Sequence, residues 1–252
     1  MKKLLLILLM MGLIAGLLVG CGVVPPAEGE GEGEGEGEGE TRVVLVELFT
    51  QPYCSYCEIA EPIIEQLADE YDRSEVVFLE ERAYGLYSLD EIRDRLKWYL
   101  PNEADWSTPN ILFNGLNQRI YHKVTTYPMV KGYIITELGK EPKISITKTR
   151  ISDSTTTTIS GTIKNISSST LDNLVVNGMT FKDLGSTGLE YAVTDILEEQ
   201  KETVATLEPE GTYNFSITLE DINWDGNMFH GVVFVQAVQS STKEILQSIY
   251  IE

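Results

Sequence analysis

The stretch Val43-Val44-Leu45-Val46-Glu47-Leu48-Phe49-Thr50-Gln51-Pro52-Tyr53-Cys54-Ser55-Tyr56-Cys57 decides how this 252-residue chain reads. Residues 43–49 are an apolar, β-branched run that suits a strand buried on both faces, as in parallel sheets. From Cys57 onward Ile59, Ile63, Ile64 and Leu67 recur at helical spacing, with Glu58, Glu61, Glu65 and Asp69 outside them. The order is strand, loop, Cys-x-x-Cys, helix.

That order has a chemical consequence. A cysteine at a helix start faces unpaired backbone N–H groups and the positive end of the helix dipole. Both favour thiolate over thiol and draw a pKa of ~8.5 toward neutrality. A two-residue spacing lets the second thiol reach the first, so a mixed disulfide can be resolved from within. Cys54 is then the attacking nucleophile and Cys57 the resolving thiol. A structural disulfide and half of a zinc site are the alternatives. Zinc takes four ligands, and no second cysteine pair exists to supply them, so no metal is expected.

With Pro62 five residues after Cys57 and the stretch Ser107-Thr108-Pro109-Asn110-Ile111-Leu112-Phe113-Asn114-Gly115 further on, residues 42–141 resemble the thioredoxin superfamily. Proline inside a helix removes a hydrogen bond, so Pro62 is informative there. The resemblance implies a cis Pro109, with Thr108 presenting the backbone that receives an extended substrate. It implies that Glu47 is a buried acid passing protons to the resolving cysteine. Glu47 stands seven residues before Cys54 where the family pattern has six, so an inserted Gln51 or Pro52 is needed; the alternative is a solvent-facing edge glutamate. Tyr53 replaces the usual Trp, and Tyr53 and Tyr56 are expected at the substrate; Trp98 and Trp106 are, with Tyr56, candidates to line a peptide groove, and a place in the core or at its rim is the favoured reading for each. Ser55-Tyr56 matches no well-known inner dipeptide, so redox direction is not implied. Val76 to Leu79 reads as a second strand, Leu89 to Leu100 as an amphipathic helix, Gln118 to Val124 as a hairpin strand behind an Asn-Gly turn, and Tyr127 to Leu138 as a closing helix.

The N-terminus carries an address. Lys2 and Lys3 precede an uncharged apolar run from Leu4 to Val19, short for a membrane span of ~20 residues. It ends in Leu18-Val19-Gly20-Cys21, which resembles the lipobox of bacterial lipoproteins, so residues 1–20 are expected to be a signal peptide and Cys21 the lipidated residue. An uncleaved anchor is the alternative; both place the remainder outside the cytoplasm. Residues 21–41 then form a tether with seven glutamates between Glu28 and Glu40, unable to bury apolar surface.

Three cysteines therefore divide into one for lipid and two for chemistry. A net charge of -20, with no basic patch, excludes nucleic-acid binding, which needs clustered Lys and Arg.

After Glu141-Pro142 the pattern changes: Ile144 to Thr147, Thr157 to Ile163, Leu174 to Phe181 and Tyr213 to Leu219 alternate in period two, and His230 to Val238 and Ile245 to Ile251 also read as strands. Six to eight short strands over residues 142–252 indicate a β-sandwich. Ser160 to Ser167 with Leu207 to Tyr213 resembles the immunoglobulin-like modules of secreted bacterial proteins, and the domain order is similar to that of Omp28-related outer-membrane lipoproteins. The expected fold is thus an α/β thioredoxin-like domain followed by an all-β immunoglobulin-like sandwich.

The expected function is a thiol–disulfide oxidoreductase, lipid-anchored to a cell-envelope membrane and acting on cysteine-containing exported proteins. It needs no cofactor beyond the Cys54–Cys57 pair, and a membrane thiol–disulfide partner resets it. The second reading is a non-catalytic binding or assembly lipoprotein, with the thioredoxin-like domain as scaffold and the β-domain as its interaction module.

Overall fold

A computed structural model describes residues 40–252, apart from 122–123 and 186–188. The expected signal peptide, Cys21 and the expected tether up to residue 39 therefore lie outside the described residues, as does His122. No helix among the described residues is long and apolar enough to cross a membrane.

The first half runs β1 (Val44–Thr50), α1 (Cys57–Ala68), β2 (Val76–Arg82), α2 (Asp90–Tyr99), β3 (Asn110–Phe113), β4 (Gln118–Tyr121) and α3 (Tyr127–Leu138). Strand β1 pairs in parallel with β2 and antiparallel with β3, and β3 pairs with β4, giving the order β2-β1-β3-β4. This is the strand order and helix placement expected of a thioredoxin-like domain. All seven residues of β1 are buried, as its uninterrupted apolar run requires. Alternation then sorts them. Val44, Val46 and Leu48 pack with Ala60, Ile64 and Leu67 of α1 and Val130 and Ile134 of α3. Leu45 and Phe49 pack on the other face with Ile92, Leu96 and Tyr99 of α2.

The buried face of α1 differs from the expected one. Cys57, Ala60, Ile64 and Leu67 are buried, whereas Ile59 is 42% exposed. A small Ala60 lets the first turn lie close to the sheet, and this rotates Ile59 outward.

The second half contributes β5 (Ile144–Ser152), β6 (Thr156–Asn165), β7 (Leu171–Lys182), β8 (Ala192–Ile196), β9 (Glu202–Leu207), β10 (Thr212–Glu220), β11 (His230–Ala237) and β12 (Ile245–Ile251). These eight strands fall within the expected six to eight; β8 and β9 lie outside the six stretches that read as strands from sequence. The region is β-rich and two-layered: β10-β6-β5 form one sheet, and an apolar core separates it from β7, β9, β11 and β12. Those latter strands belong to a sheet that runs β12-β11-β7-β8-β2-β1-β3-β4, so a single sheet passes through both halves. The link is a short parallel contact, Glu80 beside Ala192, with the Glu80 N–H donating to Tyr191 O at 2.9 Å.

The halves also share a core. Met179, Phe181, Val193, Ile196, Val232 and Phe234 pack with Leu45, Phe49, Leu79, Leu96 and Tyr99. The Asn114-Gly115 turn is fastened to the β11–β12 connection: Leu116 N–H donates to Thr242 O at 2.7 Å and Ile245 N–H to Asn114 O at 3.2 Å. Gly115 has φ +73°, and a Cβ there would lie 2.3 Å from Lys243 O, so both conformation and space demand glycine. Arg42 adds a buried ion pair to Glu137 at 3.6 Å and a partly buried one to Glu244 at 3.0 Å.

Candidate functional site: a thiol pair beside a cis proline

Strand β1 ends at Thr50, and Gln51-Pro52-Tyr53 carries the chain over the sheet edge to Cys54. The turn into α1 is closed by Cys57 N–H to Cys54 O at 2.9 Å and Glu58 N–H to Cys54 O at 3.1 Å. Cys54 and Cys57 form a disulfide with their Cα atoms 5.2 Å apart. Their environments differ sharply. Cys57 is 1% exposed, while Cys54 is only half-buried. The Cys57 N–H points at Cys54 Sγ from 3.2 Å, the kind of donor that stabilises a thiolate there once the pair is reduced.

The Thr108–Pro109 peptide bond is cis. Its loop lies against the disulfide: Thr108 O is 3.5 Å from Cys54 Sγ, and the Thr108 hydroxyl donates to the same sulfur at 3.6 Å. The loop is held from beneath by Asn110, which is fully buried. Its side-chain amide donates to Ser107 O at 2.7 Å and Asp105 O at 3.0 Å, and its Oδ1 accepts from Arg119 Nε at 2.7 Å. Asn110 and Arg119 thus position Thr108. Their spacing carries no motif, and sequence reasoning passed over both.

The structure brings together Cys54, Cys57, Thr108 and Pro109, flanked by Tyr53 and by a Tyr56 that is 47% exposed. It does not gather the tryptophans with them. Trp106 donates its indole N–H to Leu100 O at 2.6 Å and packs on the α2 core. Trp98 lines a different cavity of about 520 Å³, together with Val175 and Val238.

Glu47 is fully buried, not solvent-facing. It alternates onto the α2 face, where Arg95 Nε donates to it at 2.6 Å and the Tyr99 hydroxyl at 2.9 Å. Arg95 reaches Tyr99 as well, and Gln236 of β11 donates to the Tyr99 hydroxyl at 2.8 Å, so this network joins the two halves of the chain. Glu81 is fully buried in the same cluster, beside Glu47. Burial and then the neighbouring Glu47 push its carboxyl well up, with Arg95 opposing.

The cysteine side of the sheet has its own buried acid. Glu80 is aligned with Leu48, fully buried, and faces α1. Its Oε2 accepts from Tyr191 N–H at 3.0 Å, and its Oε1 has no partner among the described residues. Burial pushes this carboxyl up to about 8; the Tyr191 N–H opposes, and Glu65 and Glu61 of α1 add to the rise. Glu61 also accepts from the Thr50 hydroxyl, which ties the start of α1 to the end of β1.

No protein-family model matches the chain, and no curated protein matches it. Among solved structures it is similar to HBP35 of Porphyromonas gingivalis, at 16% identity and a TM-score of 0.63 over 84% of this chain and 75% of that one. It is also similar to a domain of the outer membrane lipoprotein Omp28 from Porphyromonas gingivalis, at 15% identity and a TM-score of 0.31, covering 44% of this chain and 88% of that one. A Bacteroides uniformis β-glucuronidase matches 43% of this chain with 12% of its own, at 17% identity and a TM-score of 0.29. The first of these likenesses shows a shared fold.

Proposed function

We propose that the protein is an extracytoplasmic, membrane-tethered thiol–disulfide oxidoreductase acting on cysteines of exported proteins. One observation carries this reading: a half-buried Cys54 is joined to a buried Cys57 at the start of α1, with the Thr108–Pro109 cis peptide against the outer sulfur. A structural disulfide has no need of one reachable sulfur, nor of a backbone carbonyl beside it.

In the reducing direction Cys54 thiolate attacks a client disulfide. A mixed disulfide forms and one client thiolate leaves. Cys57, deprotonated, then attacks Cys54 Sγ; the intramolecular disulfide forms and the second client thiolate leaves. Two electrons pass from the pair to the client, and the reverse sequence oxidises a client dithiol. A membrane thiol–disulfide partner restores the starting state, and no prosthetic group takes part. Thr108 offers its backbone to the client, and Tyr53 and Tyr56 flank the approach. In this reading Glu80, the buried carboxyl on the α1 side of the sheet, exchanges protons with the thiol pair. Glu47, bonded to Arg95 and Tyr99 on the far face, serves a relay only through that network. The lipid anchor at Cys21, the tether, the division at residues 141 and 142 and an immunoglobulin-like identity for the β-rich region belong to the same proposal, on the sequence evidence alone.

The test is turnover of insulin disulfides with dithiothreitol as reductant. The protein is expected to accelerate the reaction at least tenfold over dithiothreitol alone, and Cys54→Ser to abolish the gain. Equal rates with and without the protein would leave the scaffold reading in its place.

A further inference from the structure

Beside the thiol pair lies a cleft of about 620 Å³ between two loops, the one leaving β1 (Gln51 to Tyr53) and the one leaving β2 (Tyr84 to Tyr87). The loops are fastened to each other. Ala83 N–H donates to Thr50 O at 2.9 Å, and Gly85, at φ +85°, packs so tightly on Pro52 that a Cβ would lie 2.6 Å from Pro52 Cγ. The cleft therefore has fixed walls and begins at Tyr53, the neighbour of the attacking cysteine.

Its walls are unusual for a surface loop. Tyr53 is wholly exposed, Leu86 is 71% exposed and Tyr87 50% exposed. Tyr53 and Tyr87 hold positive φ of 60° and 66°, a conformation that costs a non-glycine residue about 1–3 kcal/mol and concentrates at functional sites. Strain is thus maintained where two aromatic rings stand out toward water instead of packing away from it.

The floor holds Arg82. The chain has seven arginines. Six of them are engaged by oxygen: Arg42 with Glu244, Arg73 with the Tyr250 hydroxyl, Arg93 with Asp90, Arg95 with Glu47, Arg119 with Asp105 and Arg150 with Asp225. Arg82 makes no ion pair among the described residues, and its Nε is buried with no hydrogen-bond partner. In a chain of net charge -20, carboxylates are abundant, yet none among the described residues is placed on this guanidinium. A guanidinium that lines a cleft without an anion of its own can take a carboxylate from a ligand in a charge-assisted hydrogen bond.

We infer that this cleft binds the segment of a client polypeptide next to its reacting cysteine, taking an Asp or Glu side chain on Arg82 and an apolar side chain against Tyr53, Leu86 and Tyr87. The inference rests on the oxidoreductase reading and names the client class for it. The occupant is an extended, acidic and apolar polypeptide segment, because Arg82 is the sole charged group in the cleft lining and the remaining walls are largely aromatic and aliphatic.

The test uses the full chain, reduced, with synthetic disulfide peptides. Each peptide carries a Leu, and a Glu or Gln is stepped from two to five residues on either side of the cysteine. Hydroxyethyl disulfide, small and neutral, reports on exchange at Cys54 itself. The best Glu peptide is expected to exceed its Gln counterpart about tenfold in kcat/KM at ~0.01 M ionic strength, with the ratio shrinking toward one at ~1 M as the ion pair is screened. Arg82→Gln should bring the ratio to one at low salt, and Arg82→Lys should restore part of it. Leu86→Ser, an exposed change that leaves the core untouched, should slow Glu and Gln peptides alike while keeping the ratio. A wild-type ratio near one at every Glu position, or a ratio that survives Arg82→Gln, overturns the inference while hydroxyethyl disulfide is still exchanged. Failure to exchange hydroxyethyl disulfide strikes the oxidoreductase reading itself.

Discussion

Cys57→Ser in the cells that make the protein should accumulate disulfide-linked adducts on Cys54, and Cys54→Ser should accumulate none. The asymmetry follows from burial. Cys57 is 1% exposed, so a client meets Cys54 first, and the client can be displaced only by a thiol that reaches Cys54 from inside. Serine at position 57 keeps the size and the helix start but cannot form the displacing bond. The mixed disulfide then waits for an external thiol, which slows its resolution by orders of magnitude, since an intramolecular group acts at an effective concentration of about 10⁵ M or more when well oriented. Non-reducing gels with mass spectrometry should show at least a tenfold excess of adducts over the Cys54→Ser control, and the trapped clients should carry acidic and apolar residues beside the captured cysteine. Equal adduct levels in the two variants would mean that Cys54 is not the point of attack.

Glu80→Gln should change how stability depends on pH. The Glu80 carboxyl is pushed up from 4.5 to about 8 in the folded chain, chiefly by burial. Between those two values the unfolded chain has released this proton and the folded chain has kept it. Stability from this group is therefore greatest below pH 4.5 and falls as pH rises toward 8, by about 1.4 kcal/mol per unit and about 4–5 kcal/mol in all. Glu81, also raised, acts in the same direction. Glutamine carries no ionisable proton, keeps a carbonyl oxygen for Tyr191 N–H, and places an N–H₂ where a protonated carboxyl already presents an unpartnered O–H. Denaturant midpoints should thus match wild type near pH 4.5 and exceed it at pH 8, with a visibly flatter slope between. Parallel curves for the two proteins would show that Glu80 ionises in the folded chain as it does in water.

How much of this was legible in the sequence depends on how local the cause was. The β1–CxxC–α1 order was legible because a β-branched run, a turn and a helical period follow one another within 25 residues. The alternating strands β6, β7 and β10 were legible for the same reason, and β11 and β12 as apolar runs bounded by turn residues. Strand β9 was not, because Glu202 follows a charged run from Glu198 to Lys201 that reads as a loop. Strand β8 is short, and its parallel partner β2 lies more than a hundred residues earlier. His230 to Ala237 gave a hint that went unused: an almost unbroken apolar run is buried on both faces, so it needs a second covering layer, which the first half provides.

At the site, the two cysteines and Pro109 announced themselves by type and spacing. Glu47 did not disclose its partners, since Arg95 and Tyr99 reach it from α2, and Gln236 of β11 braces those two in turn. Glu80 and Arg82 looked like the ordinary polar end of a strand. What marks them is a missing partner, and that is visible only when every neighbour is in place.

The most direct test of the central claim is the reduction potential of Cys54–Cys57, measured in glutathione or dithiothreitol redox buffers by alkylation and intact mass. A sulfur reachable from solvent and stabilised as thiolate by the Cys57 N–H predicts a value in the range of exchanging pairs, about -270 to -120 mV. A value below about -300 mV, where structural disulfides of secreted proteins lie, would contradict it.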